Sequence, residues 1–161
     1  RGGADLIIIY NSGRFRMMGH GSTCGMMAYG DANAIAMEIG EYEVLPVVEE
    51  CPVICGVHAT DPRRRMWHWL GQVKEMGFSG VNNFPTHTII DGHFRQVLEE
   101  TGMSVKKEYE NLTILAQRNT VVILEHTQGA VAQLGERFNR TEEVEGSSPF
   151  GSTKRVQIFD L

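Results

Sequence analysis

Two hydrophobic periods alternate along the chain as far as Glu125. Residues 4–10 (ADLIIIY) form a nearly unbroken apolar run, the pattern of a parallel strand buried on both faces. A polar, glycine-rich loop follows. Asp31 then suits a helix N-cap, Ile35, Ile39 and Tyr42 fall on one helical face, and Pro46 stops regular continuation. Residues 52–59 (PVICGVHA) read as a second strand. Asp61-Pro62 supplies a cap and a proline at the first helical position; Met66, Leu70 and Val73 make the apolar stripe, and Gly77 is a natural stop. Residues 78–84 predict a third strand, followed by a helix with Phe94, Val97 and Leu98 facing inward. Ser104 can cap another helix, with Val105, Tyr109, Leu112 and Ala116 at helical spacing, and residues 120–125 (TVVILE) predict a fourth strand.

Repeated strand, loop and helix units predict an α/β fold with a parallel sheet and right-handed crossovers. An open doubly wound sheet and a barrel both begin this way. A complete (β/α)8 barrel takes eight strands and about 250 residues, so this chain holds about half of one. Such a half-barrel has two unpaired edges and an uncovered inner face, which predicts marginal stability or self-association.

Composition narrows the function. A hydrophobic content of 42% supports a packed core, and a net charge of −5 gives no basic signature, so nucleic acid is not an expected partner. The longest apolar run falls far short of the roughly 18 residues a membrane-spanning helix needs. No charged-then-apolar signal opens the chain; the expected context is cytoplasmic, without a membrane. Cys24, Cys51 and Cys55 are too few and odd in number for a disulfide scaffold. Cys51 and Cys55 read as buried thiols rather than zinc ligands. Arg1-Gly2-Gly3 leads directly into the first apolar run without an initiator Met, which reads as a fragment at both ends.

The domain is expected over residues 1–127. The remainder, 128–161, reads as an irregular tail, because residues 129–153 (GAVAQLGERFNRTEEVEGSSPFGST) back-translate into a transfer-RNA gene. VAQLGE fits the D-arm, GSSP the T-loop, and the flanks permit a paired acceptor stem, a span of about 75 nucleotides to be set aside from fold reasoning. A genuine helix over 130–144 with a Gly/Ser/Pro linker is the alternative.

Ligand sites of parallel α/β folds lie beyond the carboxyl ends of the strands. There the chain places Asn11, Ser12 and Arg14 after the first strand, His58, Thr60 and Asp61 after the second, and Asn83 and Thr86 after the third. Amides, hydroxyls, one Arg and one carboxylate suit a pocket for a small anionic, oxygen-rich ligand. The same residues are good turn formers, and capping alone would explain Asp61. His58, three residues from Asp61, is a candidate general base or a structural histidine. The loop over residues 13–30 carries Gly19, Gly21, Gly25 and Gly30 with Met17, Met18, Met26 and Met27, apolar enough to pack down over a site. It matches neither G-x-G-x-x-G nor a Walker-type Gly-Lys-Ser, so no nucleotide cofactor is expected. His20, His87 and His93 lack ligand spacing, and Arg63-Arg64-Arg65 reads as a solvated face.

The blocks GGADLIIIYNSGRFRMMG, GDANAIAMEI, EVLPVV, PVICGVHATDP, GFSGVNNFPT and IDGHFRQVLEETGM together resemble the phosphoenolpyruvate hydrolase-like family of TIM barrels, over roughly residues 1–117. The same barrel is similar to the C-terminal domain of plant antiviral inhibitor proteins, where it follows an N-terminal domain described as ATP-binding. The resemblance implies a partial TIM (β/α)8 barrel of about four βα units, near the second to fifth strands of eight. It implies hydrolysis or binding of a small phosphorylated enol acid, with Mg or Mn as the usual electrophile, in a parent that is a homo-oligomer. Carried over, Asn11, Ser12 and Arg14 match the first block, Thr60 and Asp61 the ATDP block, Asn83 and Thr86 the NFPT block, and Asp91 and Arg95 the IDG and FRQ blocks. Arg14 and the Asn11 and Asn83 amides are then expected to hold the anionic groups, with Asp61 as metal ligand or proton-transfer group and His58 beside it. The barrel's usual phosphate site, after strands seven and eight, has no counterpart here, so the chain alone is expected to be inactive. A ligand-sensing or protein-interaction module, or a remnant without activity, are the alternatives.

Overall fold

The computed structural model describes residues 3–116, 121–126, 142–146 and 154–159. Four parallel strands, β1 (Ile7–Ile9), β2 (Val53–Gly56), β3 (Gly80–Asn82) and β4 (Val121–His126), pair strictly in chain order. A doubly wound sheet reverses its order at a switch point, whereas a barrel advances one strand at a time. The described winding is therefore that of a partial barrel. Ile8 faces Ile54 across the first pairing, Ile54 faces Gly80 across the second, and Gly80 faces Val121 across the third.

All four residues of β2 are buried, as befits a strand with neighbours on both sides. β1 departs from the expected two-sided burial: Ile9 is buried, but Ile8 is 37% and Leu6 38% exposed. β1 lies at the edge of the described sheet, and of its three residues only Ile9 is fully buried. That core packs Cys55, Val57 and Val81 against Ala36, Leu70, Val73 and Leu112, all essentially inaccessible.

Local structure around the rim differs from expectation in several places. Residues 11–14, expected as loop, open helix α1 (Asn11–Met17), whose Phe15 is buried and whose Arg14 and Arg16 lie in the last turn, where cations complement the helix dipole. Asp31 does cap α2 (Ala32–Ile39), its Oδ1 accepting from the Ala34 N–H at 3.0 Å. Beyond Ile39 the chain widens into a π-turn over Gly40–Val44. The wider turn rotates the apolar face, and Tyr42, expected inward, is exposed.

Helix α3 (Met66–Glu75) starts later than Asp61-Pro62 predicts, with Arg65 as its N-cap residue. Asp61 instead accepts the Arg63 N–H at 2.9 Å, closing a tight turn ahead of the helix. Met66, Leu70 and Val73 are buried as expected, and Gly77 ends the helix region at φ 107°, which only glycine adopts cheaply. In α4 (Gly92–Glu100) Leu98 is buried, but Phe94 and Val97 are exposed; only one row of that helix meets the body. Ser104 Oγ accepts the Lys107 N–H at 3.1 Å ahead of α5 (Val105–Ala116), whose Val105, Tyr109 and Leu112 are buried.

Where the tail expected to be irregular is described, it forms strands. β5 (Glu142–Gly146) and β6 (Lys154–Phe159) make an antiparallel pair, and β6 also pairs antiparallel with β4. The open edge of β4 offers unpaired N–H and C=O groups, and within β6 Arg155, Val156, Gln157 and Ile158 alternate polar with apolar, so pairing there is the physical default. Residues 117–120, 127–141 and 147–153, which hold most of the stretch read as a translated tRNA gene, lie outside the described residues. Among the described residues no helix is long and apolar enough to cross a membrane.

Candidate functional site

The segments following β1, β2 and β3 converge. The rings of Tyr10 and Phe84 lie 4.6 Å apart, and Gly25 sits against both rims. A Cβ there would come within 2.8 Å of Ser12 Cβ, 3.0 Å of Phe84 Cε1 and 3.1 Å of Asn11 Oδ1. The glycine-rich loop is thus folded down onto the strand ends, and Asn11 Nδ2 holds it by donating to the Gly25 carbonyl at 2.9 Å. Between this loop and the rims of β2 and β3 lies a cavity of about 450 Å³, bordered by Met27, His58, Asp61, Arg63, His87 and Phe94.

The β2 rim is built on charge. Asn33 of α2 clamps it: its Oδ1 accepts the His58 N–H at 2.9 Å, and its Nδ2 donates to the His58 carbonyl at 3.1 Å and to Asp61 Oδ2 at 3.2 Å. Asp61 Oδ1 also accepts from Arg63 Nε at 3.1 Å, and Oδ2 from Arg63 Nη2 at 3.2 Å and from the Arg64 guanidinium. Both arginines reach Asp31 Oδ2 as well, at 3.1 Å and 2.7 Å. Burial alone would raise the Asp61 pKa, but hydrogen bonds from Arg63, Arg64 and Asn33 outweigh it and hold the carboxyl well below the usual range. Thr60 Oγ1 lies 3.3 Å from His58 Nε2, and burial pushes the His58 pKa down.

The β3 rim is built on buried neutral donors around a glutamate. Glu108 of α5 is inaccessible to solvent. Its Oε1 accepts from Asn83 Nδ2 at 2.7 Å and its Oε2 from the His87 N–H at 3.0 Å. Asn83 Nδ2 also donates to Thr86 Oγ1 at 3.1 Å, and Thr86 Oγ1 to Thr88 Oγ1 at 3.1 Å. Burial raises the Glu108 pKa to about 6 despite its donors, and burial with the positive neighbours His58 and Arg95 lowers that of His87 to about 4. The His58 and His87 rings stand edge to face, centroids 5.7 Å apart.

Of the residues expected at the site, His58 and Asp61 border the cavity, while Asn11, Ser12, Asn83 and Thr86 are buried in the strand rims and do not line it. Arg14 turns outward, paired with Glu38 at 3.2 Å and Glu43 at 2.8 Å. Asp91 is exposed ahead of α4. Arg95 donates to the carbonyls of His87 and Ile90 at 2.9 Å and 3.2 Å, bracing the loop. Sequence reasoning passed over Asn33, Glu108 and His87, and took Arg63 and Arg64 for a solvated face. The available signal was Glu108 itself, a carboxylate on the apolar stripe between Val105 and Leu112.

The described residues around Asp61 do not form a divalent-metal centre. Both Asp61 oxygens are taken by guanidinium and amide donors, and among the described residues no three His, Cys, Asp or Glu side chains are grouped to hold a metal ion.

Residues 1–128 match the phosphoenolpyruvate hydrolase-like family, and the chain belongs to that family. Two tomato (Solanum lycopersicum) relatives, ToMV resistance protein Tm-1(GCR237) and ToMV susceptible protein tm-1(GCR26), are each 58% identical over 109 residues, 68% of this chain and 14% of theirs. The protein y4pA of Sinorhizobium fredii is 36% identical over 123 residues, 76% of this chain and 20% of its own. The chain thus spans well under a quarter of the length of these curated relatives.

Proposed function

We propose that the cavity takes a small phosphorylated enol acid, which the completed barrel hydrolyses. The observation that carries this reading is the convergence of His58, Asp61, Arg63 and His87 from two strand rims on one cavity beneath a glycine-rich loop. Arg63 supplies the positive charge for phosphate or carboxylate: its side chain is 61% exposed while anchored on Asp61. Asp61 fixes that guanidinium and stays ionised; His58 and His87, kept neutral by burial, are the groups placed to accept a proton. Family membership supports the chemistry. Calorimetric titration with phosphoenolpyruvate and an assay for released inorganic phosphate test it, with Arg63→Ala expected to weaken binding at least tenfold. Binding indifferent to Arg63, or no binding by the complete barrel, would reject the assignment.

A second reading rests on the tomato relatives, which are named for resistance and susceptibility to ToMV. There the barrel is a binding module, with exposed Met17, Met18, Met27 and Tyr29 offering an apolar contact surface. Tight phosphoenolpyruvate binding without phosphate release favours it over the enzyme.

A further inference from the structure

We infer that His87 is the proton-accepting group of the cavity and that Glu108, behind it, sets the orientation and tautomer of its ring. This rests on the reading of the cavity as a ligand site, and it assigns roles that reading leaves open. His87 borders the cavity yet is 6% exposed. Its Nδ1 is buried without a hydrogen-bond partner among the described residues, and Glu108 Oε2 lies 3.5 Å away. A buried polar nitrogen left in that state is costly, and the nearby carboxylate oxygen is the acceptor that relieves it. Hydrogen bonds of this kind are commonly long before a ligand closes the site.

Glu108 cannot swing to another partner, because Asn83 Nδ2 holds one oxygen at 2.7 Å and the His87 N–H the other at 3.0 Å. The same carboxylate therefore fixes the backbone of residue 87 and faces its ring. With Nδ1–H directed at Glu108, the lone pair falls on Nε2, across the ring. The charged and titratable groups around His87 are Glu108 from α5, His58 from the β2 rim, whose ring lies 5.7 Å away, and Arg95 from α4, bonded to the His87 carbonyl at 2.9 Å. His58 and Arg95 oppose a charge on the imidazole, which keeps it in its basic form.

With an enol phosphate bound, Nε2 takes one proton from water as the water oxygen bonds to phosphorus. The bond from phosphorus to the enol oxygen breaks, and its electron pair stays on that oxygen. The proton returns from Nε2 to the enolate, leaving inorganic phosphate and the keto acid. His87 touches the reacting atoms; Glu108 is a positioning residue.

The test is nitrogen-15 NMR of histidine-labelled full chain from acid to neutral pH. His87 is expected as the Nδ1–H tautomer, its ring shifts carrying an inflection near pH 6 that follows Glu108 and that disappears in Glu108→Gln. An Nε2–H tautomer, or an inflection that survives Glu108→Gln, overturns the inference. Should Glu108→Gln fail to fold, His87→Gln keeps the N–H that Glu108 needs. In that variant the Glu108 midpoint, read by carboxyl carbon NMR, is expected to rise, and an unmoved midpoint overturns the pairing. In the completed barrel, phosphate release from phosphoenolpyruvate should fall at least a hundredfold in His87→Gln, and unchanged release overturns the catalytic role. If the completed barrel neither binds nor turns over phosphoenolpyruvate, the proposed ligand fails while the tautomer and titration still decide the pair.

Discussion

Asp61 and Glu108 are both nearly inaccessible carboxylates beside the same cavity, held in opposite ways. Asp61 lies under two guanidinium groups and stays ionised well into acid. Glu108 accepts from an amide, a hydroxyl and a backbone N–H, with no guanidinium bonded to it, and burial lifts its pKa to about 6. Residue type alone does not decide which carboxylate can exchange protons near neutrality; the charge of its partners does. The β2 rim is thereby a rigid electrostatic anchor, and the β3 rim is the half of the site able to titrate.

The largest expected effect comes from emptying the neutral half. Glu108→Ala strands the Asn83 amide and the His87 N–H in the interior, at about 1–3 kcal/mol each, and urea unfolding should show a correspondingly large fall in midpoint. Asp61→Asn should cost less, about 1–3 kcal/mol, because Arg63 is largely solvated and the amide retains one acceptor. The depressed pKa of Asp61 means its stabilising contribution is present above the usual carboxylate range and lost as pH falls below it. The gap between Asp61→Asn and wild type should therefore close in acid; a gap that widens there would break the contrast between the two rims.

A finer test uses pH on the β3 half alone. Glu108, raised from 4.5 to about 6, favours the fold below 4.5, and that contribution is lost as pH rises through about 6. His87, lowered from 6.5 to about 4, contributes above 6.5, and that contribution is lost as pH falls through about 4. The two slopes oppose one another in the wild type. Thermal melts should show Glu108→Gln destabilised on acidification over this window and His87→Gln stabilised, with a flat profile in both variants counting against the pair. The smallest effect is expected at Arg14, whose partners on the outer surface are themselves more than half exposed. Arg14→Ala should change stability by under about 1 kcal/mol and leave phosphoenolpyruvate affinity within twofold, by calorimetry.

Much of the fold was legible in order. The four parallel strands, the stripe of Met66, Leu70 and Val73, the caps at Asp31 and Ser104 and the stop at Gly77 all follow from local pattern, since each depends on neighbours within a few residues. The misplacements have separate causes. Tyr42 turned outward because a π-turn shifted the helical period, and Asp61 left its expected capping role because guanidinium groups on its own turn claimed the carboxylate.

The sequence by itself determined that polar strand ends, with amides, hydroxyls and one carboxylate among them, would follow the first three parallel strands, because hydrophobic period and turn chemistry are local properties. Only the tertiary structure decided which of those groups reach the cavity. Asn11, Asn83 and Thr86 were buried in the rims without lining it, Arg14 went to the outer surface, and Glu108, twenty-one residues along the chain from His87, came to lie behind its ring. The burial of Glu108 and its place behind His87 arise from contacts between α5 and the β3 rim, which no short spacing along the chain encodes.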